Sequence, residues 1–183
     1  VSHYLKFRHN LIIPNEFAGS MDESCFIPWV HLMNALKKID RDITPDVESF
    51  TLEFGSEETF RMDEAAKDVE SILNYLRYKG VIEGTPNKID SHSCLLENYK
   101  TIYSPKGGLV DYHFAPGQRF IKGDILASFY NFKNLDPAKP ILSARTAVKA
   151  EEDGIVINRC PSSSVHQGME LFQVMTKLKE HKA

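Results

Sequence analysis

The 183-residue sequence predicts an α/β segment over residues 1–90 followed by a small all-β domain over 91–183. Three observations carry that prediction. Apolar residues recur twice at helical spacing before residue 80, each time after a short strand-like run. Helical periodicity then disappears from Leu95 onward. In its place stands a near-duplicated glycine frame. Gly108-Leu109-Val110 leads through Ala115-Pro116-Gly117 to Gly123-Asp124-Ile125-Leu126, and Asp153-Gly154-Ile155-Val156 leads to Gly168-Met169-Glu170-Leu171. The interval from Gly108 to Gly123 nearly equals that from Gly154 to Gly168, as expected when one supersecondary unit is used twice.

The elements follow in order. Residues 1–7 alternate like a strand, and Leu11-Ile12-Ile13 is a short apolar run stopped by Pro14. Trp29, Leu32, Met33, Leu36 and Ile39 mark a helix, with Pro28 tolerated in its first turn and Lys37-Lys38 favourable near its end. A loop through Thr44-Pro45-Asp46 delivers a strand, Ser49 to Phe54, closed by Gly55. Asp63 is placed to cap a second helix carrying Ala65, Ala66, Val69, Ile72, Leu73 and Leu76, which Gly80 ends. Strand, helix, strand, helix reads as an edge portion of a helix-flanked sheet. Polar residues from Gly84 to Ser93 mark the boundary. Beyond it, Tyr99–Tyr103, Gly108–His113, Ile125–Tyr130 and Gly154–Asn158 alternate with Gly and Pro turns, which is an all-β pattern.

Composition excludes several classes. A net charge of −3 argues against a general nucleic-acid binder. No apolar run approaches the roughly 20 residues of a membrane span, and no stretch reads as a secretory signal, so none is expected. Cys25, Cys94 and Cys160 are far apart and form no C-x-x-C, so a cytoplasmic protein with reduced thiols is expected. The chain begins at Val1 with a strand-like run and no initiator Met, and it reads as a fragment.

The frame of glycine, two apolars, then P-G-x-x-[apolar]-x-K-G-D-x-L resembles the barrel-sandwich hybrid of lipoyl and biotinyl carrier domains. A carrier needs a modifiable lysine on the hairpin between the half-repeats, flanked by Met or Asp. The linking stretch from Asp136 to Arg145 offers neither, and Lys139 and Lys149 read as solvated surface charge. The fold is expected without the carrier chemistry.

Glu53 is the candidate catalytic residue. Alternation along the strand puts Phe50, Leu52 and Phe54 on one face and Thr51 with Glu53 on the other. The carboxylate then lies at the carboxyl end of a strand, where open α/β sheets bind ligands. An edge glutamate pointing into water gives the same pattern, so spacing alone does not separate the two. Ser49-Phe50-Thr51-Leu52-Glu53-Phe54-Gly55, a following helix and then the lipoyl-like domain together resemble the succinylglutamate desuccinylase/aspartoacylase family. These are zinc-dependent deacylases related to zinc carboxypeptidases. The stretch Ile13-Pro14-Asn15-Glu16-Phe17-Ala18-Gly19 followed by Pro28-Trp29 extends the resemblance, which covers the chain but only the C-terminal half of a family member.

The resemblance implies a zinc-carboxypeptidase-like sheet, an N-acyl amino acid or related small amide as substrate, and Glu53 as general base toward zinc-bound water. The same carboxyl then passes its proton to the leaving amine. The family's zinc ligands, an H-x-x-E pair and a later histidine in D-x-H, have no counterpart here. H-x-x-E does not occur; His166 and Glu170 are spaced H-x-x-x-E. Asp90-Ser91-His92 and Asp111-Tyr112-His113 match D-x-H but read as structural, and His3 and His9 make no metal site by themselves. No metal ligand is therefore assigned in this chain. Zinc is expected on residues outside it, and the isolated chain is expected to be inactive. Arg61 is a weaker candidate for an acidic substrate group. Trp29 with Phe26 reads as an anchor of helix to sheet, and the acidic run from Glu48 to Glu64 as solvated. A homo-oligomer is compatible with all of this. Two other readings remain open: a metallopeptidase of the same superfamily, and a non-catalytic lipoyl-like binding module.

Overall fold

A computed structural model describes residues 2–14, 19–39, 41, 47–55, 60–134 and 136–183. Asn15 to Ala18, the Thr44-Pro45-Asp46 loop and the Glu57-Glu58 pair lie outside the described residues. The chain is mixed α/β and divides into two compact units. The first is Val1–Phe7 with Ile13–Ile89, and the second is Arg8–Ile12 with Asp90–Ala183. No helix among the described residues is long and apolar enough to cross a membrane.

Among the described residues of the first unit are three helices: α1 (Met21–Ser24), α2 (Ile27–Lys37) and α3 (Met62–Tyr78). A reciprocal capping box starts α1, with the Glu23 amide donating to Ser20 Oγ (3.2 Å) and the Ser20 amide donating to Glu23 Oε2 (3.1 Å). Pro28 occupies the first turn of α2, where a missing N–H costs nothing, and Lys37 its last. Gly80 ends α3 at φ +69°, in the left-handed region. The cap of α3 differs from the expectation. Arg61 is the N-cap residue, while Asp63 lies inside the first turn and pairs with Arg61.

Two expected strands are not strands. Residues 2–6 form turns, with Leu5 N–H donating to Ser2 O (3.1 Å) and Lys6 at φ +56°. Their apolar alternation is used against a helix instead: Tyr4 stacks on Tyr78 of α3 with centroids 3.8 Å apart, and Leu5 is buried. Residues 47–55 run without ladder partners, because no described strand lies beside them. The helix-flanked sheet expected over 1–90 is therefore absent from the described part of this unit. Trp29, expected to anchor helix to sheet, stands 40% exposed, with no described sheet in this unit to meet.

The buried side of α3 is polar. Asn74 is fully buried; its Nδ2 donates to Tyr4 O (2.6 Å) and Asn87 O (2.8 Å), and its Oδ1 accepts from Asn87 N–H (2.8 Å). One side chain thus satisfies backbone groups of two distant segments, which must otherwise meet water or go unpaired.

The second unit holds three sheets. In the smallest, β1 (His9–Ile12) pairs in parallel with β2 (Ser91–Leu95), and β11 (Lys179–His181) pairs antiparallel with the other edge of β2. The remaining strands are β3 (Tyr99–Tyr103), β4 (Gly108–Tyr112), β5 (Arg119–Phe120), β6 (Ile125–Tyr130), β7 (Arg145–Lys149), β8 (Gly154–Arg159), β9 (Ser164–Val165) and β10 (Glu170–Thr176), with the short helix α4 (Pro140–Ala144) before β7. They form two antiparallel four-stranded sheets, ordered β3-β10-β8-β5 and β7-β6-β4-β9. Exchanging β3–β6 for β7–β10 turns one order into the other. The glycine frame is therefore a structural duplication, and each sheet takes two strands from each half. No closed barrel forms among the described strands.

Between the two sheets lies one core. Val110, Leu126, Ala127 and Phe129 come from one sheet, and Val156, Leu171, Phe172 and Val174 from the other. Burying each large side chain here contributes about 1.5–3 kcal/mol. The first glycine of each repeat is needed for close approach: a Cβ at Gly108 would lie 2.6 Å from Tyr130 O, and one at Gly154 would lie 2.5 Å from Met175 O.

Candidate functional site

The residues singled out by the sequence lie in or beside 47–55. Side chains along this segment alternate in what they touch. Glu48 accepts hydrogen bonds from Tyr75 Oη and from Lys79 Nζ (3.2 Å), and the Phe50 ring meets Tyr75 edge-on at 6.0 Å. Phe54 packs against Phe7 at 5.7 Å. Thr51, on the other side, donates to the carboxylate of Asp22 in α1. Even-numbered residues thus turn toward aromatic neighbours, as the alternation predicts, although no sheet is formed.

Glu53 shares the parity of Thr51. Its carboxylate is exposed and, among the described residues, makes no hydrogen bond or ion pair. Gly55 follows at φ +54°, turning the chain just beyond it. An exposed carboxylate of this kind can take and return a proton once a substrate is placed against it. Neighbouring Glu48 is different. The Tyr75 hydroxyl, and then Lys79, hold its carboxyl below the ordinary range, so it is a structural anion.

Arg61 does not meet Glu53. Its guanidinium is bound by the first turn of its own helix, to Asp63 Oδ2 at 2.9 Å and to Glu64 Oε1 at 3.5 Å. Both carboxylates suit a helix N-terminus, and the hydrogen bond from Arg61 lowers the pKa of Asp63. The pair is exposed, so its contribution to stability is small.

The residues present do not fit zinc. Among the described residues no group of three or more His, Cys, Asp or Glu side chains could hold a metal ion. The D-x-H residues are committed elsewhere. Asp90 accepts from Lys182 Nζ (2.9 Å) and from the Ala183 amide (2.9 Å), while Nε2 of His92 is bound by Arg119. His113 lies 3.5 Å from Asp111 and 3.2 Å from Ser128 Oγ. His3 Nδ1 contacts Ile89 O at 2.9 Å, and His166 is exposed before a turn. Lys139 precedes α4 and Lys149 lies in β7, both exposed.

Sequence reasoning missed one row. His9, His92 and Glu180 are register partners across β1, β2 and β11, and Arg119 reaches both His92 and Glu180 (3.1 Å to the latter). The strands it joins come from the start, the middle and the end of the chain, so no local signal marks it. A separate cavity of about 370 Å³ in this unit is lined by Arg119, Phe120, Asp153 and Lys177 among others, and neither Glu53 nor Arg61 contributes to it.

No protein-family model and no curated protein matches this sequence. Solved structures do. A protein of Shewanella amazonensis assigned to the succinylglutamate desuccinylase/aspartoacylase family is 36% identical, with a TM-score of 0.87 over 98% of this chain and 48% of its own. One of Shewanella frigidimarina, assigned likewise, is 32% identical, with a TM-score of 0.86 and the same coverage. A succinylglutamate desuccinylase/aspartoacylase of Rhodobacter sphaeroides, 16% identical with a TM-score of 0.63, covers 99% of this chain and 48% of its own and shows the shared fold alone. The chain spans about half the length of these proteins.

Proposed function

We propose, on the premise that this chain belongs to the succinylglutamate desuccinylase/aspartoacylase family, that it is part of an amide hydrolase acting on an N-acyl amino acid or a similar small amide. The observation that carries the reading is 36% identity along 98% of the chain to a protein assigned to that family. The two four-stranded sheets are read as its lipoyl-like barrel-sandwich hybrid, and their interchangeable strand orders support this.

Glu53 is the general base. Its exposed carboxylate accepts a proton from the water that attacks the amide carbonyl, and returns it to the nitrogen as the C–N bond breaks. Thr51, bound to Asp22, steadies the same side of the segment. The family reaction is zinc-dependent in this reading, with the metal lowering the pKa of water. The described residues hold no fitting ligand set, so the metal is assigned to residues outside this chain. The isolated chain is then inactive, and a cytoplasmic location fits its unpaired cysteines.

The test is Glu53→Gln in the full-length parent protein, assayed on N-acyl amino acids with the fold checked by circular dichroism. Turnover should fall by at least about 100-fold, the lower range for losing a general base. Normal turnover with an intact fold would sink the assignment.

A further inference from the structure

Little burial holds β1. It is an edge of its three-stranded sheet, pairs with β2 alone among the described strands, and gives no residue to the buried core. One short ladder and few buried apolar contacts place it at the low end of local stability. Its chain neighbours on both sides, Val1–Phe7 and Ile13 onward, belong to the first unit, so β1 lies where the chain passes into the second unit and back. What β1 does carry is His9, set beside His92 with ring centroids 5.9 Å apart. Arg119 contacts Nε2 of His92, and a guanidinium has donors only, so Nε2 accepts and the single ring proton stands on Nδ1. That Nδ1, like Nδ1 of His9, is buried and has no hydrogen-bond partner among the described residues. A further proton on His92 enters at Nε2, and there it must displace Arg119. The surroundings oppose that charge. Arg8 precedes His9 on β1, Arg119 reaches in from β5, and Cys94 of β2 is a thiol that burial keeps neutral. Against them stands Glu180 of β11, 3.7 Å from His92 Nε2 and already bound to Arg119. Lys179 and His181 alternate to the other face of β11, where His181 meets Ser93 Oγ. With both rings protonated, four cations, His9, His92, Arg8 and Arg119, would face one carboxylate.

We propose that the β1–β2 pairing is an acid-sensitive latch: when both imidazoles carry a proton, Arg8–Ile12 leave the edge of β2 while the two four-stranded sheets stay folded. Each ring binds one proton from solvent, and only hydrogen bonds break. The released segment takes the charged His9 ring into water, where it is hydrated rather than buried beside other cations. Burial and the neighbouring positive charges hold the pKa of His9 down in the closed latch. The closed form therefore binds protons less well than the open one, and acid favours opening. The ties lost are few: His92 N–H to Arg8 O at 2.7 Å, Asn10 Nδ2 to His92 O at 3.1 Å, and the short parallel ladder. The core between the larger sheets has no part in them. The inference rests neither on zinc nor on amide hydrolysis.

Amide hydrogen exchange of the full-length parent protein tests it, at pH 7.5 and pH 5.0 with rates corrected for the intrinsic pH dependence of exchange. Protection of residues 9–12 and of the His92 amide should fall about 30-fold or more at pH 5.0, while Phe129 and Val174 keep theirs within about threefold. His9→Asn should shrink the fall at 9–12 to about threefold or less, with its fold checked by the same core amides. Nitrogen-15 spectra of the unsubstituted protein give an independent reading. His92 should be the Nδ1–H tautomer at pH 7.5 and protonated on both nitrogens where 9–12 lose protection. Equal protection of 9–12 at the two pH values would overturn the proposal, as would an Nε2–H tautomer of His92 at pH 7.5. Loss of protection at Phe129 and Val174 together with 9–12 would be acid unfolding of the whole unit and would overturn it too. A fall that persists in full in the His9→Asn variant would assign the pH dependence to another group, with the same consequence.

Discussion

His9 and His92 stand side by side as register partners on parallel strands, their ring centroids 5.9 Å apart and 25° from parallel, each with a buried Nδ1 that has no hydrogen-bond partner among the described residues. Burial above all, and then the charges of His92, Arg8 and Arg119, lower the pKa of His9 below its ordinary 6.5. The unfolded chain therefore takes up the proton before the folded chain does. Stability is complete above about pH 6.5 and is lost as the pH falls through the lowered value. The urea midpoint should drop between pH 7.5 and pH 5.5, and His9→Asn should reduce that drop. An unchanged pH dependence in the variant would exclude His9 as its source.

Gly154 tests the close approach between neighbouring strands of one sheet. A Cβ there would meet Met175 O at 2.5 Å and the Phe120 ring at 2.6 Å, and the backbone carbonyl cannot swing aside. Gly154→Ala should cost about 2–3 kcal/mol or more by overpacking. Gly123→Ala meets open space and is penalised only by its φ of +95°, so about 1–2 kcal/mol is expected. Equilibrium urea unfolding of the two variants ranks them.

The duplication predicts matched energetics. Leu126 and Leu171 follow the second glycine of their repeats at the same distance, and both are fully buried in the shared core. Each Leu→Ala substitution should cost about 2–5 kcal/mol, with the two values close to one another. A neutral result at either position would mean that the halves are not packed equivalently.

Asn74 tests the first unit. Asn74→Ala takes away the partner of three half-buried backbone groups, in Tyr4 and Asn87, at a cost of about 1–3 kcal/mol. Asn74→Asp keeps the acceptor for Asn87 N–H but turns an oxygen toward two carbonyls, and it should be no better tolerated. Thermal unfolding followed at a probe within this unit reads the loss.

The second unit was largely legible because its signals are local. Glycines at matched intervals, with Pro and Gly turns between short β-rich runs, report strands whose pairing the duplication then imposes. Helices α2 and α3 were legible from the helical period of their apolar residues. Three things were not. Alternation at 49–54 separated Phe50 and Phe54, which meet aromatic rings, from Thr51, which meets Asp22, but alternation cannot supply the partner strand that makes a strand. The run at 1–7 alternates like a strand but folds as turns, with Leu5 buried and Tyr4 stacked on α3 rather than paired in a sheet. The polar face of α3 was invisible because Ser71 and Asn74 read as solvent-facing until the backbone they serve is in view. Within the candidate site, Glu53 was legible as an exposed carboxylate. The capture of Arg61 by Asp63 and Glu64 was not, since all three read equally well as a solvated charge run.

Each four-stranded sheet of the second unit draws two strands from each half of the duplicated frame. Neither half could complete a sheet if it were made alone; it would have to find a second copy of itself. The unit is in that sense an obligate homodimer written on one chain. The stretch from 131 to 144 serves as a tether, replacing a concentration-dependent encounter with a fixed local concentration in the millimolar range. Cutting that tether should leave the halves clasped, while removing either half should dissolve both sheets at once.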